Sequence, residues 1–387
     1  MTANHEVLLH GRHYATGAAV AIRIIGGRIV AMKPLPSTQT SLWIGPGLVD
    51  LQVNGYGGWD FNASCLTAEA VCHATNALWT QGITGYLPTI ITASDGAVEQ
   101  ALDTIAEAVS QTPAISNTIR GVHLEGPFIS PIDGPRGAHE GHWVKAPDWD
   151  LFRKWQHLAR GLIKVITLSP EWEEAPGFIR QCVSSGVKVA IGHTAANSEQ
   201  IARAVEAGGS LSTHLGNGCH PVMARHPNYL WDQLADDRLW ASIIVDGFHL
   251  PDSVIKVILQ VKRQKTLLIS DSVSLSGLAP GTYRAPIGGE VTLTREGKLQ
   301  VTDHPELLAG SVQSIARSID YLAARELCTF ETAWNMASIQ PCAYMGFPGL
   351  AGLSSGAPAD IVVFRRDGGT SEIQQVYSAG ALVYDNL

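Results

Sequence analysis

The chain has 387 residues, of which 45% are hydrophobic, and its formal net charge is −8 at pH 7. This length and apolar content allow a large buried core, and an α/β barrel often reaches this size as one unit. The negative charge and the lack of a lysine–arginine cluster argue against nucleic acid or an anionic membrane surface as the main partner.

The amino-terminal segment and the cysteines indicate the compartment. Residues 1–17, MTANHEVLLHGRHYATG, lack the charged-then-apolar pattern of a signal peptide, and no apolar run approaches the roughly 18 residues of a membrane-spanning helix. The six cysteines are scattered and form no CxxC motif. We therefore expect reduced thiols, a cytoplasmic protein and no membrane partner.

Both ends of the chain have the pattern of short strands. Residues 6–33 contain two β-rich stretches, the second broken by Gly26-Gly27, which is a hairpin signal. Residues 359–364 (ADIVVF) and 373–384 (IQQVYSAGALVY) have a similar pattern. We expect the two ends to pair into one small β-sandwich-like domain, with the predicted domain bounds 1–45 and 349–387 around a barrel of residues 46–348.

Between these ends, eight apolar, β-rich segments alternate with stretches long enough for helices. The segments are 48–53, 86–91, 120–124, 163–168, 188–192, 210–213, 241–245 and 266–270. This alternation predicts an α/β fold, a parallel (β/α)₈ barrel of the TIM type. A doubly wound open sheet is the alternative, but no glycine-rich phosphate loop follows the first strand to favour it.

Two of the predicted helices have start signals. Ser94 is a plausible N-cap for a helix whose apolar face is formed by Val98, Leu102, Ile105 and Val109. Asn197 and Gln200 have the spacing of a capping box, and Gly208-Gly209 ends that second helix.

In a (β/α)₈ barrel the chemistry lies at the carboxyl ends of the strands. Polar side chains follow six of the eight predicted strands: Gln52 with Asn54, Glu125, His193, His214, Asp246 with His249, and Asp271. The segments 86–91 and 163–168 end without a comparable residue. Residues of metal-binding type at six strand ends predict an active site in the mouth of the barrel.

The residue types at three of these ends suit a metal. Glu, His and His with an open fourth position is a standard ligand set of catalytic zinc, and Glu125, His193 and His214 leave three different strands. A divalent ion held this way activates water. Asp271 is placed to take up and return a proton, although an aspartate there also serves as a helix cap. His123 shares the strand face of Glu125 and either lines the site or packs in the core.

Seven stretches, in this order, resemble the N-acetylglucosamine-6-phosphate deacetylase family of the amidohydrolase superfamily. They are GPGLVDLQVNGYGG, GVHLEGPF, GHTAA, THLGNG, VDGFHL, LISDS and LAGS, which lie between about residues 45 and 365. The resemblance implies a (β/α)₈ barrel, a small β domain built from both termini and a homodimer. It implies hydrolysis of the sugar's acetamide to glucosamine 6-phosphate and acetate.

Position by position, the resemblance also implies the roles of single residues. It places Glu125, His193 and His214 on the metal, with zinc as the expected ion, makes Asp271 the acid/base, and brings His139 to the acetyl carbonyl. The implied substrate-binding residues are Ala138, Asn217, Gly218, Arg225, His249, Leu308, Ala309 and Gly310. Arg225 and His249 fall at phosphate-binding positions, with Arg225 reaching across from the partner subunit.

Two departures from the family pattern leave alternatives open. Many relatives carry His-x-His after the first strand and hold two metals, whereas this chain has Gln52-Val53-Asn54, so we expect one divalent ion per subunit. THLGNGCHP lacks the usual bulky residue before its Asn and the Ala-Met after it. The alternative substrates are therefore another N-acetylhexosamine, phosphorylated or not, or another N-acyl amine. A catalytically silent sugar-binding barrel is a further alternative, against which the four retained site residues argue.

Overall fold

The computed structural model describes residues 6–37, 40–285 and 289–387. Within these ranges the chain forms an eight-stranded parallel barrel and a separate seven-stranded sheet built from both ends. The predicted fold class is confirmed.

The strands are, in chain order, β1 (Glu6–His13), β2 (Ala19–Ile25), β3 (Arg28–Pro34), β4 (Leu42–Pro46), β5 (Leu48–Val53), β6 (Gly55–Tyr56), β7 (Trp59–Asp60), β8 (Ile83–Ile91), β9 (Val122–Glu125), β10 (Ile163–Leu168), β11 (Lys188–Ile191), β12 (Leu211–Ser212), β13 (Trp240–Ile244), β14 (Thr266–Ile269), β15 (Gly281–Ala285), β16 (Gly289–Leu293), β17 (Leu299–Val301), β18 (His304–Leu308), β19 (Ile361–Asp367), β20 (Thr370–Ser378) and β21 (Ala381–Asp385).

The α-helices are α1 (Ala68–Trp79), α2 (Asp95–Gln111), α3 (Pro113–Thr118), α4 (Trp149–Leu158), α5 (Ala175–Ser184), α6 (Ser198–Glu206), α7 (Tyr229–Ala235), α8 (Asp252–Lys262), α9 (Ile315–Ala324), α10 (Phe330–Met336) and α11 (Ile339–Met345). Short 3₁₀ turns cover Gly141–Trp143, Arg263–Lys265 and Pro348–Ala351.

The small sheet joins the two ends of the chain in the order β21-β20-β19-β4-β1-β2-β3. β4 pairs parallel to β1 and antiparallel to β19, so the first and last parts of the chain meet at its centre. The predicted Gly26-Gly27 hairpin is confirmed between β2 and β3. Both glycines have positive φ, of 57° and 77°, the backbone that a tight two-residue hairpin turn requires.

The barrel contains all eight predicted strands, in the neighbour order β5-β8-β9-β10-β11-β12-β13-β14. Two backbone hydrogen bonds close it between the first and last strands, from Asp271 N to Gln52 O (3.0 Å) and from Asn54 N to Ser272 O (2.8 Å). Because the sheet returns to its first strand, the alternative of an open doubly wound sheet is wrong.

The predicted starts of α2 and α6 are also confirmed. The Ser94 side chain accepts a hydrogen bond from Ala97 N, and Val98, Leu102 and Ile105 are fully buried beneath α2. Asn197 and Gln200 form a complete capping box at the start of α6. Val109, which we expected on the buried face of α2, is only half-buried.

A four-stranded antiparallel sheet, β15 to β18, was not predicted from the sequence. It follows β14 and is joined to the barrel mouth by a parallel bridge between Ser272 and Ser311. Its own core is small, with Val291, Leu293 and Leu299 packed together. This sheet is therefore formed by the chain segment that follows the eighth barrel strand.

The state of the cysteines and the character of the helices complete the description of the fold. All six cysteines are free thiols in the described structure. Across the described ranges, none of the helices combines the length and the apolar character needed to cross a membrane.

Candidate active site

Glu125, His193 and His214 meet at the carboxyl ends of β9, β11 and β12. Glu125 Oε1 lies 3.1 Å from His193 Nε2 and 3.0 Å from His214 Nε2, and the two nitrogens lie 3.0 Å apart. All three side chains are at least nine-tenths buried. The three potential ligand atoms thus form a nearly equilateral triangle, which is a candidate metal site.

The hydrogen-bond partner of His193 Nδ1 shows that this ring nitrogen carries a hydrogen. His193 Nδ1 lies 3.0 Å from the carbonyl oxygen of Pro135, which only accepts hydrogen bonds, so Nδ1 carries the hydrogen. In the neutral imidazole the lone pair is then on Nε2, where it faces Glu125 and His214. A histidine that ligates a metal through Nε2 has this arrangement, with its other nitrogen bonded to a backbone carbonyl.

These observations test whether the residues fit a divalent ion. Burial alone would raise the pKa of Glu125, but the hydrogen bonds and charges of His193 and His214 outweigh it and hold that pKa well below its usual range. A buried carboxylate and two imidazole nitrogens around 3 Å apart repel one another unless a cation or a proton lies among them. In the described part of the chain, His214 Nδ1 is buried without a hydrogen-bond partner. The donor set suits zinc.

Gln52 and Asn54 each contact one carboxylate of the site. Gln52 Nε2 donates to Glu125 Oε1 at 2.8 Å, and Asn54 Nδ2 donates to Asp271 Oδ1 at 2.7 Å. Each amide therefore holds one carboxylate of the site in place, a function that a primary amide performs better than it binds metal.

Asp271 lies beside this cluster and is half-buried. Burial raises its pKa above the ordinary value, and the negative charge of Glu125 raises it further. The charges of His214 and His249 and the hydrogen bond from Asn54 act in the opposite direction. A carboxyl group with a raised pKa next to a ligand cluster is a candidate for proton exchange.

His139 lies on the loop that follows β9. Its ring packs edge-on against His193, with centroids 4.4 Å apart. Burial lowers the pKa of His139 to about 3, so the imidazole is neutral at physiological pH. Gly137 also faces His193, since a Cβ at this position would lie 3.3 Å from its ring. Ala138 lies between them and is exposed.

The loop after His214 covers the other side of the cluster. A Cβ on Gly218 would lie 2.8 Å from His193 Nδ1 and 3.2 Å from His214 Cε1, so the backbone passes directly over both rings. Asn217 turns back on the same loop, where its side chain donates to His214 O at 3.3 Å. Gly218, the second glycine of THLGNG, therefore leaves no room for a side chain beside His193 and His214.

The two predicted phosphate-binding residues lie in different surroundings. His249 Nδ1 is 2.6 Å from Asp246 Oδ2, and Asp246 Oδ1 accepts the backbone N–H groups of Phe248 and His249. The charge of His249 lowers the pKa of Asp271, so His249 lies near Asp271 at the barrel mouth. Arg225 is exposed, and no ion pair or side-chain hydrogen bond of it occurs within the described ranges. The structure does not bring Arg225 into contact with this chain's cluster.

Leu308, Ala309 and Gly310 lie where β18 returns to the barrel mouth. All three are half-buried, and a Cβ on Gly310 would meet Val273, two residues after Asp271, at 2.7 Å. The segment therefore borders the acid/base candidate, although it makes no direct hydrogen bond to Asp271 among the described residues.

Sequence reasoning missed residues at the two strand ends that it set aside. Thr92, after β8, contacts His139. Glu171, after β10, accepts from Ser169 Oγ (2.6 Å) and Ala195 N (2.9 Å), and so holds the loop that follows His193. The signal for Glu171 is its position three residues after a buried strand in ITLSPE.

His123 belongs to the layer beneath the site. Its two ring nitrogens lie 3.0 Å from Leu51 O and 2.7 Å from Thr167 Oγ1, and Thr167 Oγ1 lies 2.7 Å from Thr213 Oγ1. Burial lowers its pKa to about 4. Of the two interpretations for His123, the structure favours a hydrogen-bonded residue of the barrel interior.

Comparison with known proteins agrees with this arrangement. The amidohydrolase family profile matches residues 43–383. The chain is 32% identical over 327 residues to the N-acetylglucosamine-6-phosphate deacetylase of Bacillus subtilis (strain 168), covering 83% of this chain and 80% of that protein. It is 31% identical over 379 residues to the N-acetylgalactosamine-6-phosphate deacetylase of Shewanella sp. (strain ANA-3), and the match covers 94% of this chain and 91% of that protein.

A solved structure extends the likeness to the fold. The chain superimposes with a TM-score of 0.84 on a mutant N-acetyl-D-glucosamine-6-phosphate deacetylase from Mycobacterium smegmatis in complex with N-acetyl-D-glucosamine-6-phosphate, at 27% identity, covering 98% of this chain and 99% of that one. The enzyme from Pasteurella multocida, at 23% identity, shares the fold with the same TM-score.

Proposed function

Because the chain belongs to the amidohydrolase family, we propose that it hydrolyses the acetamide of N-acetylglucosamine 6-phosphate to glucosamine 6-phosphate and acetate. The observation that carries this proposal is the triangle of Glu125, His193 and His214 with Asp271 and His139 beside it. A metal-ligand set, a carboxyl group and a neutral imidazole are the groups that amide hydrolysis needs in one place.

The cofactor in this proposal is one Zn²⁺ per chain, held by Glu125, His193 and His214. When bound, the ion supplies a Lewis acid that activates water and polarises the amide carbonyl. The tautomer of His193, with hydrogen on Nδ1, supports this ligand set. The amides of Gln52 and Asn54 support a single ion, because both are engaged with carboxylates.

Asp271 is the proposed proton carrier. In its ionised form it takes a proton from the attacking water, and it then gives that proton to the amine nitrogen as the C–N bond breaks. Asn54 holds the carboxylate at Oδ1 and leaves Oδ2 for the proton. The neutral His139 donates a hydrogen bond to the acetyl oxygen, where negative charge develops.

The proposed phosphate site uses His249 and Arg225. The Asp246 carboxylate beside His249 Nδ1 orients the ring, which leaves Nε2 for an anion. Arg225 is exposed on the loop before α7 and is therefore available to a second subunit, which supports a homodimer in which each Arg225 serves the partner's site. A guanidinium matches phosphate geometry with two parallel hydrogen bonds.

A second candidate substrate is N-acetylgalactosamine 6-phosphate. The relative named for this sugar is 31% identical and matches 94% of this chain, against 32% and 83% for the relative named for the glucosamine isomer. The two sugars differ only in the configuration of one hydroxyl group, so the acetamide chemistry proposed above is the same for both.

An acetate-release assay on a panel of substrates tests both candidates. The panel contains the 6-phosphates of N-acetylglucosamine, N-acetylgalactosamine and N-acetylmannosamine, unphosphorylated N-acetylglucosamine, and N-acetyl-lysine. We expect N-acetylglucosamine 6-phosphate to have the highest kcat/KM and the unphosphorylated sugar a much lower one. A preference for the galactosamine isomer would establish the second candidate.

The control is Asp271→Asn, with metal content measured on every preparation. Asparagine keeps the shape of the side chain and tolerates the left-handed backbone at this position. Turnover should fall by about 10²–10⁴ with little change in KM and with one metal retained per chain. A metal-loaded wild type that releases acetate from none of these compounds would contradict the deacetylase proposal and favour a silent sugar-binding barrel.

A further inference from the structure

Thr92 follows β8 directly and meets His139 through two of its atoms. Its backbone N–H donates to His139 Nδ1 at 3.4 Å, and its Oγ1 lies 2.8 Å from the same nitrogen. Both residues are buried, Thr92 with 4% and His139 with 8% of its surface exposed. One ring nitrogen of His139 is therefore occupied from two directions by a single residue.

This contact determines which nitrogen of His139 carries the hydrogen. A backbone N–H group only donates hydrogen bonds, so the nitrogen it faces must offer a lone pair. His139 Nδ1 is thus the acceptor, the Thr92 hydroxyl is a second donor to it, and the ring hydrogen of the neutral imidazole lies on Nε2. In the described part of the chain, Nε2 makes no hydrogen bond of its own.

The position of the Thr92 hydroxyl is itself fixed by the backbone after Glu125. A Cβ on Gly126 would lie 2.2 Å from Thr92 Oγ1, so a side chain there would displace the hydroxyl. Gly126 also has a φ of 89°, which favours glycine independently. The glycine that follows the metal-ligand candidate therefore leaves the space in which Thr92 reaches His139.

We propose that Thr92 is a positioning residue that holds His139 in the tautomer with hydrogen on Nε2, so that this nitrogen donates to the acetyl oxygen of the substrate. The proposal rests on the proposed deacetylase function, in which His139 has that role. The opposite tautomer would present a lone pair to an oxygen that becomes negative, which repels it. Thr92 acts through His139 and does not touch the substrate in this proposal.

Kinetics of Thr92→Val and Thr92→Ser test this role in the zinc-loaded protein. Valine keeps the branched shape and the backbone N–H but removes the hydroxyl, whereas serine keeps the hydroxyl. We expect Thr92→Val to lower kcat about tenfold, the effect of one hydrogen bond, with KM within about twofold. Thr92→Ser should retain most of the activity.

The same substitution in a His139→Gln background separates positioning from folding. If Thr92 acts only through His139, Thr92→Val should not lower kcat further in that background. An equal loss in both backgrounds would show a merely structural role and would overturn the proposal, as would a Thr92→Val variant with unchanged kcat.

Nitrogen NMR gives a readout that does not depend on activity. In zinc-loaded protein labelled with ¹⁵N-histidine, the ring signals absent from His139→Gln belong to His139. We expect them to show a protonated Nε2 in the wild type. In Thr92→Val the backbone N–H at 3.4 Å is the only donor left to Nδ1, so a minor population with hydrogen on Nδ1 should appear. Hydrogen on Nδ1 in the wild type would overturn the proposal. An enzyme without deacetylase activity but with the expected tautomer would contradict the proposed function alone.

Discussion

Three residues at the barrel mouth adopt a left-handed backbone although none is glycine. His193, His214 and Asp271 have φ values of 48°, 30° and 48°. This conformation costs an ordinary residue about 1–2 kcal/mol, so it persists only where the surrounding structure holds it. Each of the three lies two residues after the end of a barrel strand, where the left-handed turn directs the side chain into the mouth.

Asp50 is a buried carboxylate that the sequence did not single out. It lies beneath the site, where Oδ1 and Oδ2 both accept from Ser270 N at 3.2 Å and Oδ1 also accepts from Gln52 N at 3.3 Å. Asp50 therefore links the first and last barrel strands. Burial, which outweighs these hydrogen bonds, raises its pKa to about 7.

A raised pKa in the folded state makes stability depend on pH. The folded protein holds the Asp50 proton up to about pH 7, whereas the unfolded chain releases it near pH 3.8. Between these values the unfolded state is favoured as pH rises, so the contribution of Asp50 to the free energy of unfolding is lost as pH increases through 7. We expect urea unfolding from pH 5 to pH 8 to show a smaller decline in Asp50→Asn than in the wild type. Parallel curves for the two proteins would contradict this.

At the scale of single elements, α6 connects the metal-site candidate His193 to the rest of the barrel. It begins at Ser198, five residues after His193, and the loop between them is held by Glu171. Asn197 Oδ1 accepts from Gln200 N and Gln200 Oε1 accepts from Asn197 N, each at 2.9 Å. The capping box thus fixes the point at which this loop becomes helix.

Removal of the cap should destabilise the protein without touching the site. Asn197→Ala leaves the Gln200 N–H without its partner, and we expect a loss of about 1 kcal/mol in the free energy of urea unfolding. Asn197→Asp is the matched control and should stay within a few tenths of the wild type, because aspartate caps as well as asparagine. Equal stability of the alanine and aspartate variants would show that the cap does not contribute.

The elements that sequence reasoning found and missed differ in one physical property. The eight barrel strands are apolar runs that are buried along nearly their whole length, so composition reveals them. β15 (GTYRA) and β18 (HPELL) are exposed along nearly their whole length, and β17 has only three residues, so their pattern does not differ from that of a loop. These strands are defined by their pairing with one another.

At the scale of the whole molecule, the small sheet depends on both ends of the chain. From the carboxyl-terminal part of the chain, β19 lies next to the central strand β4, and its residues Ile361, Val362 and Phe364 are fully buried. The Phe364 ring stacks on Trp334 of α10 at 4.6 Å, and Trp334 Nε1 donates to Pro46 O at 2.9 Å. The sheet and the barrel therefore share one hydrophobic cluster.

Truncation from the carboxyl end should consequently have two different outcomes. Deletion of residues 361–387 removes β19 from the centre of the sheet and uncovers Trp334, so we expect insoluble protein without bound metal. Deletion of residues 381–387 removes only the edge strand β21, in which Leu382 is already 47% exposed, and should leave a soluble protein with a cooperative thermal transition. A folded, metal-binding product of the longer deletion would contradict this dependence.

The sequence by itself determined the fold class, the order of the barrel strands and the residue types at their ends. It could do so because burial requires apolar runs and because parallel strands bring their carboxyl ends together. Glu125, His193, His214 and Asp271 were predicted on that basis, and the structure brings the first three within hydrogen-bond distance of each other. Their catalytic roles stay predictions, as do the domain bounds.

Only the tertiary structure decided which groups control these residues. Thr92 and His139 are 47 positions apart, Gln52 and Glu125 are 73 apart, and Asn54 and Asp271 are 217 apart. No periodicity relates such positions, because their contact arises from barrel closure and from loops that fold over the mouth. A single hydrogen bond between residues far apart in sequence can set a tautomer or shift a pKa. Neither property can therefore be predicted from the residues next to it in the chain.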